Sequence, residues 1–149
     1  MKLYYAAGII LGGADGSGQP GVFHDLLHAK NDDDADLQCV NKLMKTLAKS
    51  GVRASTLHSY TIMPVPSGGQ TDILYGVALL VVKGLNEETG ENESMGLVCT
   101  FSEGDDEDDA ISVSRQYVLD QHGENFARDN SVIHSGHALP IAPTDRILQ

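Results

Sequence analysis

The run ILYGVALLVV, Ile73 to Val82, decides how the rest of the chain folds around it. Its apolar residues occupy both faces of an extended backbone, so both faces need cover and the strand belongs in the middle of a sheet. Downstream, Gly84 to Ser94 carries Glu87, Glu88, Glu91 and Glu93 among Asn and Gly and reads as a solvated hairpin tip. Met95 to Phe101 is then the adjacent antiparallel strand. The acidic run EGDDEDD, Glu103 to Asp109, precedes a helical pattern from Ala110 to about Gln121, in which Ile111, Val113, Tyr117, Val118 and Leu119 are the residues expected to face the sheet. Gly123 is the expected stop, Glu124 to Ser131 a polar connection, and Val132 to Leu139 a last strand before a Pro-containing tail.

Upstream, PVPSGGQ (Pro64 to Gln70) is a turn, and Val52 to Met63 alternates so that Val52, Ala54, Thr56, His58, Tyr60 and Ile62 share one face. Asp32, Asp33 and Asp34 supply an N-cap and negative charge to a helix running from about Ala35 to Ser50. Leu37, Val40, Met44 and Leu47 recur on it at helical spacing, lysines follow toward its end, and Gly51 is the expected stop. Leu3 to Leu11 is a buried strand, Gly12 to Gly21 a glycine-rich loop, and Val22 to Lys30 a short helix or turn. No internal repeat and no linker stands out. The expectation is one α+β domain over residues 1–149, a mainly antiparallel sheet of four to five strands with two helices packed on one face, and a flexible tail over 140–149.

Composition narrows the function. Ten Lys and Arg against twenty-one Asp and Glu give a net charge of −11, which repels phosphate backbones and anionic membranes and suits a basic partner or a cation. Two cysteines, Cys39 in a helical stretch and Cys99 in a strand, read as buried small hydrophobes in a reducing compartment. The N-terminus echoes a secretory signal, but its two tyrosines and minimal basic region argue for a cytoplasmic protein.

Motifs that could carry chemistry are incomplete. Gly16, Gly18 and Gly21 satisfy G-x-G-x-x-G, but Pro20 removes an amide donor and Asp25 would repel phosphate. His24 and His28, spaced by four with Asp25 between, would share a helix face as in zinc hydrolases, with His134 or His137 as a third ligand. His58 on its strand and His122 at a helix C-terminus have structural explanations. Asp32, Asp34 and Asp36 alternate as in a calcium loop that lacks its glycine and terminal glutamate. No nucleophile elbow or Cys-His signature occurs, and no cofactor is implied.

The leading expectation is therefore a small acidic binding or accessory protein, acting by self-association or on a basic protein partner, with no direct nucleic acid and no membrane. A metal-dependent hydrolase using His24, His28, His134 and His137 is the first alternative. The second is an inhibitor that displays Asp32–Asp36 and Asp105–Asp109 as a nucleic-acid-like surface.

Overall fold

The computed structural model describes residues 1–11, 20–49, 56–66, 73–86, 88–89 and 91–142. The glycine motif's Gly16 and Gly18, the stretch from Val52 to Ser55 and most of the tail lie outside them. The class is α+β, but its strands form two three-stranded antiparallel sheets rather than one sheet of four to five. Two compact units result, one of Met1–Thr71 with Ala142–Gln149, the other of Asp72–Ile141.

In the first unit, β1 (Lys2–Leu11) is central, flanked by β2 (Pro20–Ala29) and β3 (Thr56–Pro64), with α1 (Asp32–Lys49) between β2 and β3 in sequence. In the second, β4 (Leu74–Lys83) is central, flanked by β5 (Ser94–Glu103) and β6 (Ser131–Ile141), with α2 (Glu107–Asp129) between them. Each unit is thus β-β-α-β, with the same strand order. The repetition reaches single residues. Register shifts fall between Ile9 and Ile10 in one unit and between Leu80 and Val81 in the other, leaving His58 and His134 as the extra residues of a bulge. Around these bulges the strands read LHSYTIMPV (57–65) and IHSGHALPI (133–141), and Tyr4 faces Pro64 as Tyr75 faces Pro140. The sequence reading saw no repeat because only these few positions keep their identity while the topology keeps all of them.

Helix starts repeat as well. The Asn31 side chain accepts from the Asp34 amide at 2.9 Å while Asp34 Oδ2 accepts from the Lys30 amide at 2.9 Å. Asp106 and Asp109 do the same, at 2.7 and 3.0 Å. These reciprocal boxes satisfy amides that have no partner inside the helix.

Four expectations change. Val22–Lys30, expected as a short helix or turn, is strand as far as Ala29: β2 pairs with β1 residue by residue from Lys2–Ala29 to Leu11–Pro20, and that ladder outweighs the local pattern. α2 runs through Gly123 to Asp129 and stops at Asn130, whose left-handed backbone (φ 53°) turns its amide back to the helix. His122 therefore lies within the helix and not at its end. The fourth concerns the helices' inner faces. Ala35, Cys39 and Leu43 of α1 are buried, as are Ala110, Ser114 and Val118 of α2, whereas Leu37 and Met44 are each 60% exposed and Tyr117 58%. Small residues at four-residue spacing let the helix lie close to the sheet, so the larger apolar residues are turned away from it.

Candidate functional site

In the first unit α1 is tied to β2. Gln38 Nε2 donates to the His28 carbonyl at 2.9 Å, and Lys42 Nζ donates to Asp25 Oδ2 at 3.1 Å. The helix leans on β2 and barely touches β3. A cleft of ≈ 360 Å³ opens between its first turns and β3, lined by Tyr4, Asp32, Asp33, Asp36, Tyr60, Ile62 and Pro64. Tyr4, at 1% exposure, forms its floor.

Two phenols fix two of the three carboxylates. Tyr4 Oη donates to Asp32 Oδ1 at 2.9 Å, and Tyr60 Oη donates to Asp36 Oδ1 at 2.5 Å. Burial first, then the Asp32 hydrogen bond, raises the Tyr4 phenol above its ordinary pKa; for Tyr60 the Asp36 hydrogen bond comes first and burial second. Both phenols stay protonated donors, and each carboxyl group keeps further lone pairs for another donor. The cleft can accept hydrogen bonds from, and place charge against, an ammonium or guanidinium group beside aromatic and apolar walls.

Structural equivalence with the second unit shows what is special here. Tyr60 corresponds to Gly136, Asp36 to Ile111, and Gly8, which faces Tyr60, to Leu79, which faces Gly136. There α2 lies along β6, with Arg115 Nη2 donating to the Ile133 carbonyl at 3.4 Å. A Cβ on Gly136 would come within 2.5 Å of Ile111 Cγ2 and 3.2 Å of Leu79 Cδ2. Apolar bulk therefore fills in the second unit the place that the first leaves as a polar cleft.

The histidines are placed differently from the helical reading. His24 and His28 share one face of β2, but four residues of extended chain separate them by about 13 Å, too far for one ion. His24 Nδ1 lies 3.1 Å from Tyr5 Oη, and His28 is exposed. His134 and His137 lie on β6 in the other unit; His134 is exposed, and His137 Nε2 lies 3.2 Å from Ser135 Oγ, with burial lowering its pKa. Among the described residues no three His, Cys, Asp or Glu side chains gather to hold a metal. Burial pushes the Cys99 thiol up to about 11, and raises that of Cys39 ahead of the nearby carboxylates, which disfavours the thiolate.

The sequence reading named Asp32–Asp36 as helix-capping charge and Tyr60 as an inward strand residue. It could not join them, because the pairing depends on where α1 settles on the sheet. No protein-family model, curated protein or solved structure matches the chain. Among the described residues, no helix is long and apolar enough to cross a membrane.

Proposed function

We propose that this chain is a small acidic binding or accessory protein that engages a basic protein partner, taking a lysine or arginine side chain into the cleft of the first unit. The observation that carries this reading is the Tyr4–Asp32 and Tyr60–Asp36 hydrogen bonds among the residues that line that cleft. Carboxylates already held by phenols need no further ordering when a cation arrives, which lowers the cost of binding. The net charge of −11 speeds encounter with a basic surface. Its free cysteines, Cys39 and Cys99, suit work in the cytoplasm.

The test is fluorescence anisotropy with a labelled arginine-rich peptide at two salt concentrations. Asp33→Asn with Asp36→Asn should weaken binding at least tenfold, and Asp105→Asn with Asp108→Asn, which removes the same charge from the second unit, should change it less than threefold. Equal losses from the two pairs would mean that net charge alone binds the peptide, and the cleft would have no role.

A further inference from the structure

The two helices meet their edge strands in different ways. In the second unit a guanidinium of the chain's own bridges the seam: Arg115, one turn beyond Ile111, donates to the Ile133 carbonyl just before the bulge at His134. The counterparts in the first unit are Val40 for Arg115 and Leu57 for Ile133, and α1 contains no arginine. Along that same seam lies the cleft, with Asp36 standing where the second unit has Ile111. Where one unit provides its own guanidinium, the other provides acceptors for one.

We infer that the cleft of the first unit selects arginine over lysine, taking the planar guanidinium of a basic partner against the Tyr60 ring with its N–H groups spread over Asp32, Asp33 and Asp36. This rests on the reading of the cleft given above and narrows its ligand from two side chains to one. The placement of the acceptors is the first reason. Oδ1 of Asp32 and Oδ1 of Asp36 already accept from Tyr4 and Tyr60, and among the described hydrogen bonds none ends on Asp33, which is exposed. The acceptors that remain sit on three side chains over more than one helical turn, across which Cβ atoms stand about 5–6 Å apart. A guanidinium carries its five N–H donors in a rigid plane on three nitrogens and can serve separate carboxyl groups, whereas an ammonium gathers three donors on one atom. The walls are the second reason. Tyr60, Ile62 and Pro64 line the cleft, and a weakly hydrated guanidinium gives up water to such a surface at less cost than an ammonium and can stack on the aromatic ring. Arg115 adds a third, because it places a guanidinium between helix and edge strand in the same topology.

The test is fluorescence anisotropy of the full chain with labelled hexa-arginine, hexa-lysine and asymmetrically dimethylated hexa-arginine, three peptides of equal charge. Hexa-arginine should bind at least tenfold tighter than hexa-lysine. Dimethylation keeps the charge but removes N–H donors, and it should abolish most of that advantage on the unaltered chain. Tyr60→Leu should bring the arginine-to-lysine ratio below threefold by weakening arginine binding alone, while Asp105→Asn with Asp108→Asn, in the other unit, should leave the ratio as in the parent. Equal affinity for hexa-arginine and hexa-lysine, each weakened by Asp33→Asn with Asp36→Asn, overturns the arginine preference and leaves the cleft as a site for either cation. A preference that survives dimethylation, or that survives both Tyr60→Leu and the Asp33/Asp36 pair, overturns it too, since the acidic surface at large would then favour arginine. Affinities indifferent to Asp33 and Asp36 strike the cleft itself, and the preference falls with it.

Discussion

The two units share one topology, one helix cap and one bulge, yet they dispose of bulk differently. In the second, Leu79 on the central strand and Ile111 on α2 close over Gly136 on the edge strand. In the first, the central position is Gly8, and the bulk has moved to the edge as Tyr60, whose hydroxyl reaches Asp36. Exchanging large and small across one strand pair preserves the layer spacing while changing what the surface offers. One unit uses the position for packing; the other leaves a cleft lined by three acids and two phenols.

The largest effect should come from the cores that the units have in common. Leu43 and Val118 occupy equivalent, fully buried helix positions. Leu43→Ala should cost about 2–5 kcal/mol, since it removes apolar contact and leaves a cavity. Val118→Ala should cost less, because it removes less carbon. Chemical denaturation of each variant checks the order, and a surface-like loss below about 0.5 kcal/mol for Leu43→Ala would contradict its place beneath α1.

Next comes the exchange itself. Gly136→Tyr alone must displace Ile111 and Leu79 and should destabilise by about 1–3 kcal/mol. Adding Ile111→Asp should recover part of that loss by recreating the pair found in the first unit, and adding Leu79→Gly more. If Gly136→Tyr were neutral by thermal unfolding, the filled and open units would not differ in the way described.

How much of this the sequence discloses depends on the range of the interaction. The central strand at Ile73–Val82 was legible because an uninterrupted apolar run needs cover on both faces, and the acidic helix starts because capping is local. The inner faces of the helices were not. Leu37, Val40 and Met44 are the larger apolar residues and suggest an inward stripe, but the close approach of α1 to the sheet selects Ala35 and Cys39 instead. The second helix stayed hidden past Gly123 because a glycine in mid-helix costs only about 1 kcal/mol, which a packed helix absorbs. Tyr60 was legible as inward, but its partner Asp36 was not, since that pairing exists only in three dimensions.

Smaller effects should be equal in the two units where the cap is concerned. Asn31→Ala and Asp106→Ala each remove a side chain that accepts from an amide three residues on, and each should cost about 1 kcal/mol. Equality within about 0.5 kcal/mol in denaturant midpoints supports the caps as a shared, purely structural device. A much larger loss at Asn31 would mean that the α1 cap also holds the cleft in shape.

The smallest change, Tyr60→Phe, separates the cleft from the fold. Tyr60 is half-buried and its phenol donates to Asp36, so the lost hydrogen bond should cost no more than about 0.5–1.5 kcal/mol. Its signature lies in pH. The folded pKa of Tyr60 is raised, chiefly by that hydrogen bond, above its ordinary value of 10.0. The folded chain therefore holds the proton after the unfolded chain has lost it. The resulting stabilisation is complete below about pH 10 and declines as pH rises through the folded pKa. In Tyr60→Phe the phenolate absorbance should lose one late-titrating group, and stability above pH 10 should fall less steeply than in the parent. Loss of a group that titrates at the ordinary value of 10.0 instead of a late one would show that Tyr60 donates to water rather than to Asp36, and the polar side of the comparison between the units would then rest on Tyr4 and Asp32 alone.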